Sequence, residues 1–125
     1  MEFHLEVPQN QFFIRSVSEK GVRVNDDFFT GPFIISGQRI VPEWNVACIE
    51  DINENTLQAV FDLQPEVILL GTGKTQIFLP MATQAHFLRR KLGFEVMTTD
   101  AACRTFNVLV SEGRQVVAAM LPITS

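Results

Sequence analysis

Gly71-Thr72-Gly73-Lys74-Thr75 sets two glycines, two hydroxyls and an ammonium within five residues, directly after the apolar run Val67-Ile68-Leu69-Leu70. Glycines let a backbone curl until its N–H groups face an oxyanion, and a nearby lysine adds charge, so the first chemistry to test is phosphate binding. Gly73-Lys74-Thr75 matches the end of the P-loop motif G-x-x-x-x-G-K-S/T, but the opening glycine of that motif falls on Ile68, inside the apolar run. The dinucleotide fingerprint fails as well, since Gly71-Thr72-Gly73 calls for a glycine where Gln76 stands. Pro80 keeps a helix from starting directly after Thr75. What remains is a glycine-rich turn between a strand and a helix, whose glycines supply positive φ and close backbone approach. In an α/β protein, ligands bind where strand ends and helix starts meet.

A second polar segment, Thr98-Thr99-Asp100-Ala101-Ala102-Cys103-Arg104-Thr105-Phe106-Asn107, runs from the end of a strand into a helix. Free N–H groups at a helix start favour an anion or a carboxylate cap. Asp100 reads as that cap, with a catalytic carboxylate as the alternative. Arg104 and Asn107 lie off the face of Phe106, as ligand groups or as a solvated helix face. Cys103 is either a thiol activated by the helix dipole or a buried inert one packed among small residues. No histidine stands near it in sequence, which weakens a Cys/His nucleophile pair.

If the two turns follow parallel strands, they open on one edge of the sheet. The candidate ligand site is therefore Gly71, Thr72, Gly73, Lys74, Thr99, Asp100 and Arg104, suited to a small carboxylate or phosphate. The competing reading has Asp100 paired with Arg104 or Lys74, locking the loops together.

The elements that must hold these residues follow from periodicity. From Phe12 to Val41, short apolar runs alternate with Lys20-Gly21, Asn25-Asp26-Asp27 and Ser36-Gly37, as in an antiparallel meander. Near Asn53 the spacing turns helical: Asn53 or Asn55 caps a helix carrying Leu57, Val60 and Phe61, and Pro65 ends it. Met81, Ala85, Leu88 and Leu92 form one helical stripe, with Arg89, Arg90 and Lys91 in its last turn and Gly93 as its stop. Phe94 to Thr98 is the next strand, Thr99 or Asp100 caps a helix with Ala102, Phe106, Leu109 and Val110 inward, and Val116 to Leu121 is the last strand. This order predicts an α/β domain in which residues 53–121 form a mainly parallel sheet covered by helices, with 12–41 packed beside it as β-structure.

The 125 residues make one domain, with 46% hydrophobic and 19% charged residues. Eleven phenylalanines and one tryptophan, with no tyrosine, leave most aromatic mass able only to pack. A net charge of −4 argues against nucleic acid or an anionic membrane surface as partner. No apolar run approaches the ~20 residues of a membrane span. Two cysteines, without a CxxC or Cys/His cluster, suggest neither a disulfide framework nor a metal site, and no cofactor is expected. The start Met1-Glu2-Phe3-His4-Leu5-Glu6 has neither signal nor transit character, so the expectation is a cytoplasmic protein.

Ile68-Leu69-Leu70-Gly71-Thr72-Gly73, together with Glu95-Val96-Met97-Thr98-Thr99-Asp100-Ala101-Ala102-Cys103-Arg104-Thr105-Phe106-Asn107-Val108-Leu109, resembles the small uncharacterised family that contains the mitochondrial respiratory complex I assembly factor three. The similarity takes in Gly31-Pro32 upstream and Glu112-Gly113-Arg114 downstream. It implies a three-layer α/β fold around a central mixed sheet, with extra β-structure from the N-terminal part, and it brings no catalytic residues with it. It also implies an interaction or assembly protein with a protein partner and an exposed apolar patch. The alternative is a binder of, or enzyme on, a small anionic metabolite at the Gly71–Lys74 and Thr99–Arg104 edge, with a concave pocket there.

Overall fold

Val22 and Val24 are buried and Arg23 between them is exposed, the alternation of a strand with one face on a core. In the computed structural model, which describes residues 11–124, this strand is the middle of a three-stranded antiparallel meander: β1 (Ile14–Ser18), β2 (Gly21–Val24) and β3 (Asp27–Phe29). Gly21 is required where it stands, because its φ is +150° and a Cβ there would lie 2.5 Å from the Phe29 carbonyl oxygen. β1 pairs with β2 through an irregularity between Ile14 and Ser16.

A five-stranded mixed sheet forms the centre. Its strands are β4 (Phe33–Ser36), β5 (Ile40–Val41), β6 (Val67–Gly71), β7 (Gly93–Met97) and β8 (Val116–Met120), in the order β5-β4-β8-β6-β7. β6 runs parallel to both neighbours, with Leu69 opposite Glu95 on one side and Ala118 on the other. β4 is antiparallel to β8 and β5 antiparallel to β4. Residues 33–41 thus extend the main sheet and are not part of the structure beside it, which corrects the sequence expectation. The reason is burial on both faces: Phe33, Ile34 and Ile35 are consecutive and all buried, and only a strand covered on both sides accommodates such a run.

Among the described residues, three α-helices complete the layers: α1 (Glu54–Phe61), α2 (Met81–Arg89) and α3 (Thr99–Ser111). Asn53 caps α1 reciprocally: its side chain accepts from Thr56 N at 3.0 Å, and its own N–H donates to Thr56 Oγ1 at 2.8 Å. α1 and α2 cover one face of the sheet, over Ile34, Ile68, Leu70, Val117 and Ala119. α3 and the meander cover the other, over Phe33, Ile35, Leu69, Ala118 and Met120.

Three helix expectations are corrected. α3 is capped by Thr98, whose side chain accepts from Ala101 N, and by neither Thr99 nor Asp100. α2 does not bury its Met81–Leu88 stripe: Met81 is 77% and Leu88 60% exposed, and Phe87 is the helix's fully buried side chain. A buried phenylalanine removes more apolar area from water than any other residue of this helix, and aromatic pairing adds to it. Phe87 stacks on Phe94 at 4.6 Å between centroids and meets Phe61 edge-on at 6.1 Å. Once Phe87 points inward, Met81 and Leu88 are carried outward. α2 also stops before Gly93, with Lys91 taking the left-handed conformation at φ 55° and Gly93 opening β7.

Candidate functional site

Because β6, β7 and β8 are parallel, their C-terminal ends share one edge, and the two polar turns meet there. The meeting is buried. Thr72 N donates to the Met97 carbonyl at 2.9 Å and Thr99 N to the Gly73 carbonyl at 3.0 Å. Gly73 N donates to Thr99 Oγ1 at 2.8 Å, and that hydroxyl donates in turn to the Leu121 carbonyl at 2.6 Å. Leu121 N closes the chain of bonds on the Gly71 carbonyl at 2.9 Å. The Thr72 hydroxyl donates to the Thr75 carbonyl at 2.6 Å. Thr72 and Thr99 are both buried.

The two glycines serve different ends. Gly73 sits at φ +95°, a conformation that L side chains rarely adopt. Gly71 has no such φ, but a Cβ on it would lie 2.9 Å from Thr99 Oγ1 and 3.0 Å from Thr99 Cα. It is the point where β6 touches the start of α3. The N–H groups that an anion would need at Thr72, Gly73 and Thr99 are engaged within the protein. No helix follows Thr75 directly, since α2 begins only after Pro80.

Of the remaining candidate residues, Lys74 is exposed beside this junction. Asp100 forms an ion pair with Arg104 one turn along α3, and among the described residues no ion pair joins Asp100 to Lys74. Asp100 and Arg104 instead open onto a cleft of about 330 Å³ between α3 and β1. Arg15, Ser16, Val17 and Cys103 also line it. The irregularity in β1 leaves Arg15 and Ser16 consecutively exposed, breaking the in-out alternation. Burial, and then the charge of Asp100, push the Cys103 thiol up to about 12, with Arg104 opposing. Cys103 is therefore a packing residue and not a thiolate at neutral pH.

Three features were not placed by the sequence reading. Asn107 turns its amide to the backbone of β1: its Oδ1 accepts from Ile14 N at 2.9 Å and its Nδ2 donates to Ile14 O at 2.8 Å. Glu54 at the start of α1 gathers the cations at the end of α2. Arg90 Nη2 donates to its Oε1 at 2.5 Å, and His86 Nδ1 lies 2.5 Å from its Oε2. The Arg90 guanidinium sits 4.0 Å over the Phe61 ring. The Arg90 hydrogen bond, with the nearby charges of Arg90, His86 and Arg89, holds the Glu54 carboxyl below its usual range against the opposing effect of burial. These links join residues distant in sequence and have no local signature.

The third feature is an apolar surface at and before α2. Ile77, Phe78, Met81 and Leu88 are exposed, Phe78 at 88%. Met81 and Leu88, seven residues apart, share one helix face. Among the described residues, no helix is long and apolar enough to cross a membrane. Nor could any group of three or more His, Cys, Asp or Glu among them hold a metal ion.

Comparison with known proteins adds the following. A family model described as "Protein of unknown function (DUF498/DUF598)" matches residues 14–121. The chain is 37% identical over 120 residues to the mouse protein named NADH dehydrogenase (ubiquinone) 1 alpha subcomplex assembly factor 3, an alignment covering 94% of this chain and 63% of that protein. It thus spans less than two thirds of that relative's length. Among solved structures, a Bordetella parapertussis protein superposes with a TM-score of 0.84 at 34% identity, covering 91% of this chain and 98% of the other. A Xanthomonas campestris protein superposes with a TM-score of 0.83 at 36% identity, covering 98% and 93%.

Proposed function

The chain belongs to the DUF498/DUF598 family, and on that premise we propose that it is an assembly-factor-like protein that holds a protein partner and carries out no turnover of its own. The mouse relative's name describes that protein as an assembly factor, which supports the same class of role here. The observation that carries the reading is the apolar surface of Ile77, Phe78, Met81 and Leu88. Four large apolar side chains exposed within one loop and one helix face mark an interaction site, where scattered single ones would not. The polar groups at the strand ends support it from the other side, since they are engaged in holding β6, α3 and the chain after β8 together. The test is capture from a native extract with wild-type protein and with a Phe78→Ser/Met81→Gln double variant. The variant, altered only at exposed positions, keeps its melting temperature and loses the specifically captured protein. Equal capture by both would reject the surface.

A second reading, a small-anion binder, is favoured by one observation: Arg104 and Arg15 line the same cleft, with Asp100 bonded to Arg104. It shifts the candidate site from Lys74 toward β1. Titration with short carboxylates and inorganic phosphate tests it, followed by amide shifts at Arg15 and Arg104. Saturable shifts that vanish in Arg104→Gln would favour this reading.

A further inference from the structure

The outer edge of β7 carries backbone groups that are unpaired among the described residues, in a defined pattern. Thr72 N bonds to the Met97 carbonyl, so Met97 directs its backbone toward β6. In a parallel pair alternate residues point to the same side, so Glu95 and Gly93 do likewise, while Phe94 and Val96 point away. The Val96 carbonyl confirms the direction, because it accepts from the side-chain Nε2 of exposed Gln76 at 3.1 Å. Among the described residues no strand lies beyond β7. Left for a newcomer are the N–H and C=O of Phe94, the N–H of Val96, and a Val96 carbonyl covered only by a movable amide.

The sheet's two edges differ. β5 at the far edge is two residues long and runs into Pro42, two devices that discourage strand addition. β7 has five residues, no proline, no lysine and no bulge in its pairing. Its single charge is the exposed Glu95. Ile77 and Phe78, both exposed, follow in the chain directly on Gln76, whose side chain touches this edge.

We propose that β7 receives an extended segment of a partner protein as a sixth strand, displacing the Gln76 amide from the Val96 carbonyl. The segment carries apolar residues at the positions flanking a Lys or Arg that pairs with Glu95. Charge decides against a second copy of this chain: the two-fold pairing that would use all five residues of β7 centres on Glu95 and sets it against itself. This proposal rests on the protein-partner reading and specifies its geometry.

The test uses the full chain and the labelled peptide Ser-Thr-Val-Lys-Val-Thr-Ser, with two controls, one having Glu for Lys and one having both valines N-methylated. Expected are saturable binding of the first peptide and about tenfold slower hydrogen exchange at the Phe94 and Val96 amides. Binding of the Glu peptide is expected to be about fivefold weaker, and the N-methylated peptide is not expected to bind. Val96→Pro removes a donor that no bond among the described residues uses and abolishes binding, whereas Gln76→Ala frees the carbonyl and tightens it. Absence of binding by the lysine peptide, or equal binding to Val96→Pro of unchanged melting temperature, would overturn the proposal. In the extract-capture experiment, loss of the partner with Phe78→Ser/Met81→Gln but not with Val96→Pro would overturn the edge alone and leave the interaction reading standing.

Discussion

Asn107 on α3 bonds both the N–H and the C=O of Ile14 on β1, joining positions 93 residues apart. The amide takes the place of a neighbouring strand on the free edge of β1 at that residue and fastens the meander to the helix. Asn107→Ala leaves a partly buried donor and acceptor unmatched, at a cost of about 1–3 kcal/mol. Urea denaturation measures it, and an unchanged midpoint would show that water substitutes freely there.

Thr99→Val keeps the shape of the junction at the strand ends and removes its central hydroxyl. The buried Gly73 N–H and Leu121 carbonyl lose their partner, so the expected loss is about 1–3 kcal/mol for each orphaned group. A variant as stable as wild type would mean that this hydroxyl does not hold the loops.

Gly71→Ala tests close approach separately from backbone freedom. The added methyl meets backbone at Thr99 Cα, which cannot swing aside. The expected destabilisation is about 1–3 kcal/mol, as for overpacked cores. Calorimetric melting of the variant decides it.

Stability should fall in acid in a particular window. Glu54 is held low by Arg90, Glu66 by Arg114, and Asp51 by the N–H groups of Ala47 and Cys48. Each carboxyl is lower in the fold than in the unfolded chain, so the unfolded state binds protons first as pH drops. The contribution is fully present above the ordinary carboxylate value of about 4 and is lost as pH falls through the lower folded values. Urea midpoints across this range measure it, and Glu54→Gln/Glu66→Gln should show a shallower loss than wild type.

The two cysteines should separate cleanly in a thiol titration. Cys48 is exposed and Cys103 is buried with its thiol pushed up to about 12. Under native conditions at mildly alkaline pH one thiol reacts, and the second reacts only after unfolding. Rapid modification of both would contradict the packing of Cys103.

Local signals in the chain were sufficient for the features that depend on neighbours in sequence. The apolar run ending at Gly71 is a central strand, one of the two asparagines offered as caps, Asn53, caps α1, and the shift from short strands to helical spacing lies near residue 53, because capping, period and turn chemistry act within a few residues. The convergence of the Gly71 and Thr99 turns followed from strand order alone. Tertiary structure decided the rest. Which side of α2 turns inward depended on Phe61 and Phe94 waiting to receive Phe87, so the stripe of Met81 and Leu88 became surface. Whether β4 belonged to the meander or the main sheet depended on an open edge of β8, more than eighty residues away in the chain. Asn107, open in the sequence between a ligand group and a solvated helix face, became a backbone partner once Ile14 came to lie against it. A sequence records how much apolar and polar surface each segment carries, and burial goes to whichever partner fits once all segments are placed.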